Sequence, residues 1–317
     1  MARMAGTATI RRSFVIGTRG SLLARAQCRI VQGELAARYS DDAWLTKEVK
    51  TQGDIDRDVS LAFLGGQGVF VRALEESLLA GEIDLAVHSL KDMPTELPPG
   101  LKIGAVLPRE DARDVLISRV GPNLNSLPKG AVVGTGSLRR TAQLLSYRPD
   151  LTVRDIRGNV DTRLRKLQDG QYDALVLAAA GLLRLGRGHL ITGYLPMSVI
   201  LPAVGQGALA IEVREDDQAV VRRIESLNDG ATERAVRAER AFLAALGGGC
   251  AVPIAAYGQV ARGRIRLTGL VAEACRRCIR RSLTGPASQP EVLGRRLAER
   301  LLGRGARELL QEAGGGR

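Results

Sequence analysis

Aromatic side chains make up only 3% of this 317-residue chain, too few for the stacking platform that binds single-stranded nucleic acid. Histidine occurs twice, at His88 and His189, and cysteine four times, at Cys28, Cys250, Cys275 and Cys278. That supply excludes a disulfide framework, and Cys275-x-x-Cys278 has no second pair to complete a structural zinc site. No metal is expected, and no Ser-His-Asp set can be assembled. The chain lacks a G-x-x-x-x-G-K-[ST] loop, so P-loop phosphoryl transfer is out. Asp54, Asp56 and Asp58 begin like a calcium loop, but Val59 stands where glycine is required. No apolar run approaches a membrane span, and residues 1–14 lack the apolar core of an export signal. A cytoplasmic protein with neither membrane nor nucleic-acid partner is expected.

What is abundant is arginine, 40 against six lysines, within a net charge of +12. The excess sits at the ends: residues 262–317 carry 13 arginines against five acids, while residues 13–261 are nearly neutral. A 45% hydrophobic content over this length fills two or three ordinary domains.

The chain repeats itself. Val15-Ile16-Gly17-Thr18-Arg19-Gly20-Ser21-Leu22 leads to Ala26-Gln27, and Val132-Val133-Gly134-Thr135-Gly136-Ser137-Leu138 leads to Ala142-Gln143. Each copy reads as a buried strand, a tight glycine turn and a serine N-cap opening a helix. In the first helix Leu23, Ala26, Ile30 and Ala37 are expected to form the apolar face. Gly81–Val87 is echoed in turn by Gly170–Val176. The pattern predicts two similar α/β domains, 13–107 with a return segment at about 202–225, and 112–201, with a ligand cleft between them. A smaller α+β domain over 228–317 follows.

The chemistry gathers at the turns. Ile83–Val87 reads as a buried strand that Pro94 prevents from continuing, and Lys91 and Asp92 follow at its C-terminal end, where open α/β sheets bind ligands. An acid there holds a cationic intermediate. Arg19, Arg139 and Arg140 stand at the repeated helix starts, with Arg154, Arg157, Arg163 and Arg184 nearby. Helix N-termini attract anions, and the guanidinium fork matches carboxylates, so the set points to a polycarboxylate ligand. Gly247, Gly248 and Gly249 let the backbone before Cys250 approach a bulky group closely, making that thiol a nucleophile or an attachment point.

Together these segments resemble the porphobilinogen deaminase (hydroxymethylbilane synthase) family. The motifs are Ile16-Gly17-Thr18-Arg19, His88-Ser89-Leu90-Lys91-Asp92-Met93-Pro94, Gly134-Thr135-Gly136-Ser137-Leu138-Arg139-Arg140, Arg157-Gly158-Asn159-Val160-Asp161-Thr162-Arg163, Leu201-Pro202-Ala203-Val204-Gly205-Gln206-Gly207-Ala208 and Gly248-Gly249-Cys250. The resemblance implies a periplasmic-binding-protein-like pair of α/β domains. It implies head-to-tail condensation of four porphobilinogen molecules with loss of ammonia, on a dipyrromethane cofactor held by a thioether to Cys250. Asp92 is then the catalytic residue, stabilising the azafulvenium cation formed when ammonia leaves. Lys91, Thr135, Ser137, Arg139, Arg140, Arg163 and Arg184 are expected around the cofactor, and Arg19, Ser21, Arg157 and Gln206 around the substrate. A monomer that passes product to uroporphyrinogen-III synthase is expected. Relatives carry serine or alanine at Gly136, and some carry lysines where this chain reads Gly65-Gly66-Gln67-Gly68. A non-catalytic, anion-binding solute-binding protein is the competing reading, but it needs neither Asp92 nor Cys250.

Overall fold

The computed structural model describes residues 12–49, 69–247, 253–273 and 277–315. Asp54 to Asp58, Gly65 to Gly68, Cys250 and Cys275 lie outside the described residues.

In chain order the first unit contributes β1 (Ser13–Thr18), α1 (Leu22–Arg38), β2 (Ala43–Glu48), α2 (Val69–Leu79), β3 (Leu85–Ser89) and β4 (Leu101–Val106). The second holds β5 (Asp114–Ser118), β6 (Val132–Gly134), α3 (Leu138–Tyr147), β7 (Thr152–Arg154), α4 (Val160–Gln168), β8 (Ala174–Ala178), α5 (Ala179–Arg184) and β9 (Gly193–Tyr194). The chain then returns through β10 (Leu209–Arg214) and α6 (Gln218–Ile224). The third unit comprises α7 (Gly230–Ala245), β11 (Ile254–Ala261), β12 (Arg264–Ala272), β13 (Cys278–Pro286), α8 (Pro290–Leu301) and α9 (Arg307–Gly315).

The repeat read from the sequence is a repeat of topology. One sheet runs β2-β1-β3-β10-β4 and the other β7-β6-β8-β5-β9. In each, three parallel strands are followed by one that runs antiparallel to both neighbours and enters from the opposite crossover. A matching aspartate clamps each copy. Asp84 Oδ2 accepts from the Val15 amide at 2.7 Å and Asp173 Oδ2 from the Val132 amide at 2.8 Å. Each carboxylate thereby satisfies a backbone donor at the start of the strand that leads to its glycine turn.

Glycine near the end of that strand is a packing requirement. A Cβ on Gly17 would stand 2.3 Å from Ile83 Cδ1 and 3.0 Å from Leu74 Cδ2, and one on Gly134 would stand 2.7 Å from Leu175 Cδ2. Ile83 and Leu74 are fully buried, so they have little room to yield. Gly17→Ala is expected to cost about 1–3 kcal/mol through overpacking, seen as a lower urea midpoint at unchanged slope.

Two local expectations are corrected. The buried face of α1 is Ala26, Gln27, Cys28, Val31 and Leu35, while Ile30 is 38% exposed. Gln27 turns inward because its amide donates to Ser89 Oγ at 2.7 Å, which rotates the helix away from the face that hydrophobicity alone selects. Strand β3 starts at Leu85, since Gly81 adopts φ 72° and Asp84 is the clamp.

In the third unit α7 and α8 cover the antiparallel sheet β11-β12-β13 around Phe242, Leu267, Val271 and Leu297. Among the described residues no helix is long and apolar enough to cross a membrane.

Candidate active site

Strand β3 ends in a 3₁₀ turn, Leu90–Asp92. Its anchors, Leu90 and Met93, are buried, so Lys91 and Asp92 are carried outward at the C-terminal edge of the sheet. Asp92 is exposed at a recess of ≈ 70 Å³ whose lining includes Arg19, Ser21, Gln27, His88 and Ser89. Ser21 caps α1 through Oγ, which accepts from the Ala24 amide at 3.2 Å. A larger cavity of ≈ 150 Å³ lies between β13 and α8, lined by Arg264, Leu283, Arg296 and Arg300 among others. It shares no residue with this recess, so chemistry rather than size identifies the site.

On the second unit, β5 begins with Asp114, a completely buried carboxylate. Arg139 Nη1 donates to its Oδ2 at 2.7 Å, and Arg140 Nε and Nη2 donate to its Oδ1 at 3.0 and 2.7 Å. Burial pushes this carboxyl up, but the two guanidinium groups outweigh that and hold it well below the usual carboxylate range. Lys91 lies within electrostatic reach of the same cluster. Burial pushes its ammonium down, Asp92 and Asp114 act upward, and the two arginines add to the depression.

Several residues expected around the ligand are held by the protein itself. Gln206 is 1% exposed, and its amide donates to the Ala112 carbonyl at 2.8 Å and to Asp114 Oδ1 at 2.9 Å. Its Oε1 has no hydrogen-bond partner among the described residues. Thr135 is also buried, and Arg139 is committed to Asp114 and to the Leu201 carbonyl at 2.6 Å. Ser137 precedes α3 as expected but makes no side-chain cap bond, so its hydroxyl remains available to a ligand. Arg157 pairs with Asp155 at 2.6 Å on an exposed loop.

Arg163 and Arg184 differ from these. Both are half-buried, yet each donates only to a backbone carbonyl, Gly158 at 2.8 Å and Gly207 at 2.6 Å. Neither has a carboxylate at ion-pair distance among the described residues. Burial lowers both to about 10 from the usual 12.5; Arg140 adds to the effect at Arg163, and Glu110 opposes it at Arg184. Guanidinium groups removed from water without a counter-ion form a receptor for anions.

The residues that join the units escaped the sequence reading. Glu239 on α7 is completely buried and accepts four hydrogen bonds. Two come from Arg109 in the first crossover at 2.5 and 3.1 Å, one from the Gly205 amide in the second at 2.8 Å, and one from the Gly258 amide of β11 at 2.7 Å. Gly205 sits at φ 70°, where a Cβ would meet Leu90 Cδ2 at 2.2 Å, so only glycine brings that amide to the carboxylate. A signal was present: Glu239 falls on the same helical stripe as Ala235, Ala238 and Phe242, an acid inside an apolar face. Helix α7 leads directly toward the glycines before Cys250.

Comparison with known proteins agrees with this architecture. Residues 14–222 match the family model for the porphobilinogen deaminase dipyromethane cofactor binding domain, and residues 233–303 match that for the porphobilinogen deaminase C-terminal domain. The chain is 53% identical over 302 residues to porphobilinogen deaminase of Geobacillus kaustophilus, covering 95% of this chain and 97% of that one. It is equally 53% identical over 302 residues to that of Desulforudis audaxviator, covering 95% and 98%. Against that of Geobacter metallireducens the figure is 51% over 298 residues, covering 94% and 93%. Among solved structures, a putative methionine-binding lipoprotein of Bacillus subtilis is 11% identical with TM-score 0.43, covering 68% of this chain and 90% of that one. With both family models matched and relatives half identical along nearly its whole length, the chain belongs to the porphobilinogen deaminase family.

Proposed function

We propose that the recess at Asp92, facing the arginines of the second unit, is where this chain condenses four porphobilinogen molecules head to tail into hydroxymethylbilane, as a transferase of tetrapyrrole biosynthesis. The observation that carries this reading is the pairing of one exposed acid with two half-buried guanidinium groups that have no carboxylate at ion-pair distance among the described residues. Each pyrrole of such a substrate brings an acetate and a propionate, the anions that Arg163 and Arg184 lack.

The dipyrromethane cofactor fits the same residues. Arg163, Arg184, Lys91 and Ser137 hold its carboxylates, Arg139, Arg140 and Gln206 fix the wall behind them through Asp114, and Thr135 lies in the turn before Ser137. When bound as a thioether to Cys250, the cofactor supplies a covalent anchor and the pyrrole carbon to which units are added. Arg19, Ser21 and Arg157 orient the incoming porphobilinogen. As its C–N bond breaks and ammonia leaves, positive charge spreads over the pyrrole, and the Asp92 carboxylate stabilises that charge.

The reading extends to three domains, 13–107 with about 202–225, 112–201 and 228–317. It also extends to a cytoplasmic monomer that hands its product to uroporphyrinogen-III synthase. Intact mass of the purified protein beside Cys250→Ser tests the assignment. The expected result is an excess of two linked pyrroles, absent from the variant. A wild type that stays unmodified after incubation with porphobilinogen overturns it.

Arg184→Met gives a second check. Because burial disfavours this charge, the variant is expected to keep or raise the thermal midpoint of the cofactor-free protein. A charge-assisted hydrogen bond lost to a substrate carboxylate corresponds to about 1.5–3 kcal/mol, so kcat/KM for porphobilinogen falls at least ~10-fold.

A further inference from the structure

The arginine excess of residues 262–317, 13 against five acids, has no part in the reaction as described. Three of those arginines gather around one cavity, the ≈ 150 Å³ opening between α8 and β13, where β13 is an outer strand of its sheet. Arg296 and Arg300 stand one helical turn apart on α8, on the stripe that begins at Gln289 and carries Val292 and Leu293. Arg264 opens β12 and reaches the same cavity beside Pro286, its partner across the ladder.

Among the described residues, none of the three forms an ion pair or donates a hydrogen bond. No acid lines the cavity, although α8 carries two. Glu291 pairs with Arg237 of α7 at 2.6 Å, and Glu299 pairs with none of the three. Exposed arginines elsewhere behave differently: Arg25 pairs with Glu48 at 2.8 Å, Arg72 with Glu76 at 3.1 Å and Arg157 with Asp155 at 2.6 Å. Three guanidinium groups at one rim repel one another, and an anion seated between them relieves that repulsion.

The floor decides what kind of anion. Leu293 is buried, and Leu283 and Val292 are half-buried, so the wall beneath the charges is apolar. An inorganic ion would leave that wall wet, whereas a ring would cover it. A cavity of about 150 Å³ holds one benzene-sized ring. Charges that arrive from two elements, β12 and α8, suit carboxylates placed on different edges of that ring. We propose that this cavity is a second ligand site, for a monocyclic organic anion that carries two or more carboxylates. It shares no residue with the recess at Asp92, and it stands whether or not that recess is the reacting centre.

Isothermal titration calorimetry of the full-length, cofactor-loaded protein with trimesate, the symmetric tricarboxylate of benzene, tests the site. Wild type is expected to bind it. Arg296→Gln and Arg300→Gln combined are expected to weaken that binding at least ~10-fold, since each removes a hydrogen bond from a charged donor. Arg264→Gln is expected to weaken it about 3-fold or more from the other side of the cavity, and gives an independent readout if the double variant fails to fold. All three side chains are exposed, so thermal midpoints should stay unchanged and lost affinity is not lost fold. Arg163→Met, in the second unit, is expected to leave the binding in place. Failure of wild type to bind trimesate, or binding that falls in Arg163→Met and not in the double variant, overturns the proposal. Inorganic phosphate bound as tightly as trimesate overturns it as well, since the site would then be a patch of charge with no preference for a ring.

Discussion

Asp114→Asn is expected to destabilise the folded protein by about 3–5 kcal/mol, the usual consequence of removing one partner from a buried charge cluster. The substitution keeps the shape and one acceptor oxygen but strands Arg139 and Arg140, which are 5% and 6% exposed. Whichever oxygen is kept, the new amide nitrogen turns a donor toward a donor, Arg139 Nη1 on one side or Arg140 and the Gln206 amide on the other. The loss has a pH signature. Asp114 is held below its ordinary 3.8 in the folded state, so its contribution is fully present above that value and lost as pH falls through the folded pKa. Urea unfolding of wild type and variant should therefore differ by a constant amount from neutrality down to about pH 4 and converge in stronger acid. A difference below about 1 kcal/mol at pH 7 would mean that the cluster is balanced in another way.

Asp92→Asn carries the largest expected effect on activity. A unit charge about 4 Å from a developing cation in a partly screened site is worth roughly 4 kcal/mol, or about three decades of rate. Because this interaction is realised only as ammonia leaves, the loss falls on kcat and leaves KM nearly unchanged. Asp92 is exposed and takes no part in the Asp114 cluster, so stability should stay within about 0.5 kcal/mol. The two substitutions thus separate: one empties the site of its chemistry, and the other loosens the wall that faces it. A variant at Asp92 with raised KM and intact kcat would assign that carboxylate to binding instead.

The contrast follows what a sequence can display. The two α/β repeats were legible because local spacing records them: glycine turn, serine, then glutamine six residues on. Asp92 was legible because an acid at the end of an apolar strand breaks a local pattern. Asp114 was not, since a charge before Val115-Leu116-Ile117 looks like any strand flank until Arg139 and Arg140 arrive from 25 and 26 residues away. Gln206 is a related case: its motif suggests a place near the ligand, and only the folded chain shows its amide nitrogen donating to Ala112 and Asp114 across the crossover. Arginines read as one set from their recurrence at the helix starts divide in space into those with a carboxylate and those without. Only long-range geometry makes that division.

The strand order has a consequence for the order in which the molecule can be made. The second sheet draws all its strands from Asp114–Tyr194, one uninterrupted stretch. The first needs β10, Leu209–Arg214, inserted between β3 and β4. As the chain emerges from the ribosome, β4 has no neighbour until the whole second unit has been synthesised. The later half therefore closes first, while the earlier half waits with two unpaired strand edges exposed, the state in which misassembly between nascent chains is most probable.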